Sequence, residues 1–451
     1  MSAASSALSS VTGAGASTGG STFNPQQFVA EIIQSEEGPE NLMQQQVSDL
    51  SAQGTALSTI STQLQALQSA VFALNDFQGA LAAKTVTSSD SSTVTATADS
   101  TASAGTHTLT VASLATTSSE YSNTLADGNT AFTNGSFDVQ VGSGSPVAVT
   151  VDSSNDTLSG LASSINGQGI GVSASVVTDA SGSRLSLVSN SSGAPGDLTI
   201  SNNTTGLTFT KAITGQNASF TLDGVSLSST SNAASGMLQG VTLNLQGVNT
   251  NPVSLVVAPD STQATTAVQN FVTAYNTVIS NLNSQFAYDP TTQSTGPLGS
   301  DSTMMQLQQQ LLGDAAYTVA GNGADTNLAS IGVSMNEDGT LSVDTSTLSA
   351  AMDSNYSQVQ NFFQQVSPAG WAQNFNNDLL NTTDPSQGAV AVDQNGITQS
   401  ISAINQQISD FQTNLDSQQQ QLLQVYSQVA VTLQEMPMML SQVQGQIASL
   451  K

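Results

Sequence analysis

Two stretches near opposite ends of the chain carry apolar residues at steps of three and four, and any fold must accommodate both. Residues 401–429 read ISAINQQISDFQTNLDSQQQQLLQVYSQV, with Ile401, Ile404, Ile408, Phe411, Leu415, Leu422, Val425 and Val429 on one stripe. Between about 40 and 83, Leu50, Leu57, Ile60, Leu64, Leu67, Val71 and Leu74 keep the same spacing, and Leu81 follows one heptad later. A helix with so narrow an apolar stripe cannot bury it alone and needs a partner helix. Neither polar face offers ordered opposite charges, so charge matching cannot select that partner. Residues 41–81 and 397–436 are each about 40 residues, or ~60 Å of helix. Paired antiparallel, they send the intervening chain out at one end and bring both termini together at the other. The expected class is α+β: a long antiparallel coiled-coil stalk from the N- and C-terminal regions, with β-rich head domains inserted.

The C-terminal seam adds a detail. Its steps run 425, 429, 433, 436, and two successive four-residue steps form a stutter that locally unwinds a supercoil. An apolar edge is then left for neighbouring copies. Pro437 is expected to break or kink the helix there. Beyond it, Leu440, Val443, Ile447 and Leu450 form one more stripe. With Phe28 and Ile32 of a short helix over 24–37, they are expected to make a base at the termini.

The segments between are of another kind. TVTSSDSSTVTATADS and GTHTLTVASLA alternate as strands do. FDVQVGSGSPVAVTV (137–151) reads as a hairpin, SNDTLSGLASSI as a short helix capped by Asn155 or Asp156, and GIGVSASVVTDASGSRLSLVS as a second hairpin. Together they predict a ββαββ unit. Strands continue to about residue 259. Helices return over 262–286 and 299–313, and Asp338-Gly339 marks a tight hairpin turn.

Composition narrows the function classes. The 451 residues include 4 Lys plus Arg and 31 Asp plus Glu, a net charge of -27, and no Cys. Nucleic-acid binding needs basic residues to displace counterions, and attachment to anionic lipid needs them too. A disulfide framework and a thiolate metal site are excluded. No apolar run reaches the ~18 residues of a membrane span. The Ser/Gly/Ala-rich residues 1–22 have no basic start or apolar core, and read as a disordered arm rather than a cleaved signal.

Catalytic patterns are missing. His107 is the only histidine and lies on a Thr/Leu strand, with no nucleophile elbow in the chain. GAGASTGG (13–20) follows no strand and opens no helix, so it is not a phosphate loop. NEDGTLSVD suggests a calcium loop, but Thr345 stands where the bidentate Glu would be. No enzyme activity, metal or cofactor is expected.

Several strings also resemble a known family, the bacterial flagellar filament cap (FliD, hook-associated protein type 2). FVAEIIQSEEGPENLMQQQVSDLSAQGTALSTISTQLQALQSAVFALND is similar to its N-terminal helical region, and GTHTLTVASLATT to its first β-domain motif. Residues 154–193 resemble the repeat shared by flagellins and hook-associated proteins. AVQNFVTAYNTVISNLNSQFAYDP, GPLGSDSTMMQLQQQLL and LASIGVSMNEDGTLSVDTSTLSAAM are similar to its C-terminal half. The resemblance spans roughly 23–450.

It implies a homo-oligomeric ring of about four to six copies at the distal filament tip. Coil-rich legs would meet filament subunits while β-domains form the plate. The cap would prevent flagellin leakage and promote flagellin insertion. The implied partners are flagellin, hook–filament junction proteins and a type III export chaperone, with export needing no cleaved signal. The division it suggests is an arm over 1–22, a helical base from 23–40 and 437–451, and a coiled-coil leg from 41–85 and 262–436. One head domain comes from 86–130 and 217–261, and an inserted head domain with the flagellin-type repeat from 131–216. A flagellin or junction protein, and a surface adhesin or fibre, are the alternative readings. An adhesin fibre would predict a parallel trimeric stalk instead of a returning one.

Overall fold

The computed structural model describes residues 23–366 and 369–449; the expected arm over 1–22 and Leu450 lie outside the described residues. The chain is α+β and divides into two compact units. The helical unit comprises Met1–Phe72, Gln269–Thr345 and Gln365–Lys451, and the β-rich unit Ala73–Val268 and Ser346–Gln364.

In chain order the elements begin with α1 (Pro25–Glu36) and α2 (Gly38–Asn75). Pro25 suits the first helical position, where its missing N–H costs nothing. Ahead of it, Asn24 Oδ1 accepts from the Gln26 and Gln27 N–H groups at 3.0 and 3.4 Å. There follow β1 (Lys84–Ser88), β2 (Val94–Ala98), β3 (Gly105–Ser113), β4 (Thr117–Ser122), β5 (Gly135–Val141) and β6 (Val147–Val151). Next are α3 (Leu158–Gln168), β7 (Val172–Asp179), β8 (Gly182–Ser192), β9 (Leu198–Ser201), β10 (Phe209–Ile213), β11 (Ala218–Leu222) and β12 (Val225–Ser229). β13 (Ala233–Leu238), β14 (Val241–Leu245) and β15 (Asn249–Pro259) complete the strand-rich stretch. The chain then forms α4 (Ser261–Phe286), α5 (Ser302–Ala315), β16 (Val333–Met335), β17 (Leu341–Val343), α6 (Thr345–Gln364), α7 (Trp371–Thr383) and α8 (Ala389–Ser449).

The β-rich unit holds two cores. An antiparallel sheet ordered β1-β15-β3-β11-β12 and a smaller β13-β14-β2 sheet enclose Leu109, Val111, Phe220, Leu243, Val253 and Leu255. Strand alternation supplies these residues, since every second side chain points inward. The second core lies among the sheets β10-β4-β8-β7 and β6-β5-β9 and α3, and contains Phe137, Val149, Leu158, Leu161, Ile165 and Leu187. Both expected hairpins form, with Phe137 opposite Val149 and Asp179 opposite Gly182.

The expected ββαββ order also appears, as β5, β6, α3, β7 and β8 around one core, but in two sheets. β5 pairs on its other side with β9, and β8 with β4, so the two hairpins belong to different sheets. Residues remote in sequence decide sheet membership, and the local pattern is silent about them. The helix cap is also one residue later than expected: Thr157 Oγ1 accepts from the Gly160 N–H at 3.0 Å. Thr157→Ala is expected to cost ~1 kcal/mol, read as a lower urea midpoint with an unchanged slope.

α6 finishes α2 within this unit. The Gln364 side-chain amide donates to the carbonyls of Leu74 and Asp76 at 3.2 and 2.8 Å. A helix ends with carbonyls that lack partners, and these two bonds satisfy two of the acceptors there.

In the helical unit, α4 carries a wide stripe with Phe271, Tyr275, Ile279 and Leu282 buried. Phe271 meets Trp371 edge-on at 4.8 Å and Phe375 at 5.8 Å, while Trp371 and Phe375 lie 5.1 Å apart. The β16–β17 hairpin turns where expected, with Gly339 at φ 81°, a region open mainly to glycine. Asn276 on α4 clamps it: its amide donates to the Leu341 carbonyl and accepts from the Leu341 N–H, both at 2.7 Å. α5 starts at Asp301, whose carboxylate accepts from the Thr303 and Met304 N–H groups.

Candidate assembly site on the terminal helices

The first requirement of the terminal seams is a partner, and the described contacts supply it antiparallel. Gln412 Nε2 donates to Glu40 Oε1 at 2.6 Å. A Cβ placed on Gly54 would lie 3.6 Å from Ile397 Cγ2. Thr383 Oγ1 donates to Gln68 Oε1 at 3.4 Å. Each advance of fourteen residues along α2 therefore matches a retreat of fourteen or fifteen along the C-terminal region. Gly54 is a weak helix former with ordinary space at its Cβ, so Gly54→Ala should raise stability by ~0.5–1 kcal/mol. A higher urea midpoint would check this.

The polar faces carry few charges, and their hydroxyls turn back on the helix. Ser51, Thr55, Thr59, Thr62 and Ser69 each donate to the carbonyl four residues earlier. Thr398, Ser402, Thr413 and Ser417 do so on α8. Ser and Thr are poor helix formers in isolation, so packing of the seam has to hold these helices.

Burial along the two seams is unequal. On α2, Leu57, Ile60, Leu64, Leu67, Val71 and Leu74 are fully buried, and Leu50 is half-buried. α2 has more than one neighbour, since Asn281 of α4 donates to Gln63 Oε1 at 2.8 Å. On α8, Ile404 and Leu415 are buried, while Ile401, Ile408, Phe411 and Leu422 are half-buried. Val425 and Val429 are 54% and 40% exposed, so the covered part of the seam stops before them.

The reason lies at the other end of the pairing. α1 reaches α8 at Tyr426, where Phe28 stacks edge-on at 4.9 Å and Phe23 lies at 6.1 Å. Val29 is the fully buried residue of α1, and Phe28 and Ile32 are half-buried. The antiparallel register has then used up the described N-terminal helices. Phe28 and Ile32 were expected to share a base with Leu440, Val443 and Ile447; the structure places α1 near Tyr426 instead. Leu440, Val443 and Ile447 are 59%, 54% and 59% exposed. Nor does Pro437 break the chain, because α8 is one helix from Ala389 to Ser449. Proline's fixed φ is itself helical, and the residues around this turn are exposed, leaving water near the freed Leu433 carbonyl. Tyr426 and Phe23 were missing from the sequence reading. Tyr426 sits one place off the stripe, and Phe23 precedes the first helix.

His107 is structural. Its Nδ1 lies 2.8 Å from Asp223 Oδ2, and Asp223 Oδ1 accepts from the Thr108 N–H at 2.8 Å. His107 and then the Thr108 amide hold the Asp223 carboxyl below its usual range. The pair fastens the turn after β11 to β3. Among the described residues, no group of three or more His, Cys, Asp or Glu side chains is placed to hold a metal. Nor is any helix there long and apolar enough to cross a membrane.

Comparison with known proteins follows this architecture. The profile of the flagellar hook-associated protein 2 N-terminus matches residues 21–118, and that of its C-terminus residues 215–437. The flagellin hook IN motif matches 133–191. The B-type flagellar hook-associated protein 2 of Pseudomonas aeruginosa is 30% identical over 431 residues, covering 88% of this chain and 89% of its own length. The chain belongs to the flagellar hook-associated protein 2 family. A family member from Escherichia coli K12 is 28% identical, covering 70% of this chain and 72% of its own. The crystal structure of the flagellar cap protein FliD from Escherichia coli, domains D1-D2-D3, superposes with a TM-score of 0.60 at 27% identity. It covers 76% of this chain and 99% of that one. Membership places the paired terminal helices and the β-rich insertion in a family of flagellar structural proteins.

Proposed function

We propose that this protein is the cap of a bacterial flagellar filament, a structural rather than catalytic component at the distal tip. The observation that carries the reading is the antiparallel return of α8 along α2 around a β-rich insertion, in a chain that superposes on a flagellar cap crystal structure. In this reading the protein assembles into a homo-oligomeric ring of about four to six copies. It keeps flagellin from leaking away and promotes its insertion beneath the cap. It reaches the tip through the flagellar type III apparatus without a cleaved signal. Its partners are flagellin, the hook–filament junction proteins and an export chaperone.

The seam residues divide into two roles. Leu50 to Val71 and Ile401 to Leu422 hold each leg together. The exposed stripe through Val425, Val429, Leu440, Val443 and Ile447, continuing in sequence to Leu450, is the surface for neighbouring subunits. A contiguous apolar stripe of this kind marks an interaction site.

The test is complementation of a strain that lacks its cap, with swimming and flagellin lost to the medium as readouts. Restored swimming and retained flagellin are expected. Continued leakage by a folded, exported chain would overturn the proposal. Removing 437–451 should leave the urea midpoint unchanged, since its described residues are exposed, while abolishing ring formation or filament attachment. Unchanged motility would remove the stripe from the account.

A further inference from the structure

Among the described residues, basic side chains are confined to one part of this chain. Lys84, Arg184, Lys211 and His107 all belong to the β-rich unit. Among its described residues, the helical unit has no Lys, Arg or His, and Lys451 lies outside them. Buried carboxyls of the helical unit therefore have no cation to pair with among the described residues.

One such carboxyl sits at a helix junction. Asp314 occupies the last turn of α5 and is 7% exposed. As a carboxylate its Oδ2 would have no donor within reach. Its neighbour across the junction is a second carboxyl, Asp378 in the middle of α7, within hydrogen-bond reach. The other titratable group facing it is Tyr275 of α4, whose O–H donates to the Leu311 carbonyl at 3.5 Å. Burial and then Asp314 push that phenol upward, so it stays neutral. The carbonyls ending α5 add partial negative charge beside Asp314. Two facing carboxyls, no cation and a helix C-terminus leave one way to satisfy the site: a proton between them.

We propose that a proton held by Asp314 and donated to an Asp378 carboxyl oxygen is a structural part of the helical unit, fastening α5 to α7 and making the unit acid-favoured. Burial first, and Asp378 next, push the Asp314 carboxyl up to about 8. Asp325 and Asp393, in the same unit, are raised by burial as well. In the β-rich unit the buried Glu120 differs, having Lys211 to offset part of the same penalty.

The sign of the pH effect follows from linkage. A carboxyl whose folded pKa exceeds its unfolded value holds a proton that the unfolded chain releases. The unit therefore loses stability as pH rises through the folded Asp314 pKa. It gains stability as pH falls from there toward the ordinary carboxylate range near ~4.

Trp371, the only tryptophan, is buried at the start of α7, the helix that carries Asp378, so its fluorescence reports on this unit. The experiment is urea unfolding of the full-length chain followed by that fluorescence, at a series of pH values from ~5 to ~9.5. The unfolding equilibrium constant should rise by up to about tenfold per pH unit between the ordinary carboxylate range and the Asp314 pKa, and level off above it. In Asp314→Asn that slope should shrink to what Asp325 and Asp393 contribute, because the amide donates to Asp378 without titrating. A wild-type chain with no such slope below the Asp314 pKa, or an Asp314→Asn chain that keeps the full wild-type slope, would overturn the proposal. A second readout needs no variant: the infrared carbonyl stretch of a protonated carboxyl, measured at neutral pH. It should be present in the folded chain and vanish on unfolding; its absence from the folded chain would also overturn the proposal.

Discussion

Replacing Leu64 with Asp will unfold the helical unit and abolish capping. Leu64 is fully buried in the α2 seam, and no basic side chain lies among the described residues of its unit. A carboxylate there has neither water nor a counter-ion, and an unpaired buried charge costs ~3–5 kcal/mol. That is much of the ~5–15 kcal/mol holding a typical domain folded. The loss should shrink in acid near pH ~4, where the introduced carboxyl takes up a proton. Ile404→Asp should cost less, because its side of the seam is flanked by half-buried residues. Val443→Asp should leave the Trp371 unfolding curve unchanged, because the side chain is 54% exposed, yet still stop capping. The three variants separate folding from assembly, and a normal urea midpoint and motility for Leu64→Asp would refute the seam as the structural spine.

The two long helices were legible because a heptad repeat held over about forty residues is a strong signal. Leu57, Ile60, Leu64, Leu67 and Val71 needed no structure to be recognised as a buried row. Where that row ends on α8 was not legible. Coverage of Val425 and Val429 depends on how far the antiparallel partner extends, and that is set at Tyr426 by Phe28 and Phe23. Of the break or kink expected at Pro437, the break does not occur, because a proline in a solvated helix gives up one bond whose acceptor water can reach. The hairpins at 137–151 and 172–192 were visible from their turns. Their sheets were not, since β4 and β9 are recruited from outside the local pattern. β4 also inverts the usual alternation, with Ser118, Glu120 and Ser122 as its buried residues. The Asp314–Asp378 contact left no trace at all, because spacing within a helix says nothing about which residue of another helix it meets.

Phe375→Ala will cost the helical unit ~3–5 kcal/mol, the usual result of removing a buried ring from a packed core. Phe375 is fully buried and faces Phe271 edge-on at 5.8 Å, Trp371 at 5.1 Å and Tyr275 at 6.4 Å. These rings bind α4 to the helix that carries Trp371 and Asp378. Edge-to-face pairs add ~0.5–1.5 kcal/mol beyond burial, so the loss should exceed that of an isolated buried leucine. Trp371 remains as the reporter, and its emission should shift to longer wavelength if water enters the space left by the ring. The same experiment bears on the shared proton. A looser α4–α7 packing admits water to Asp314, which lowers the penalty for ionising it. The loss of stability with rising pH should then level off at lower pH in the Phe375→Ala chain than in the wild type. An unchanged midpoint would show that the ring cluster is not what joins these helices. A lower midpoint that levels off at the wild-type pH would instead show that Asp314 stays shielded by α5 and α7 alone.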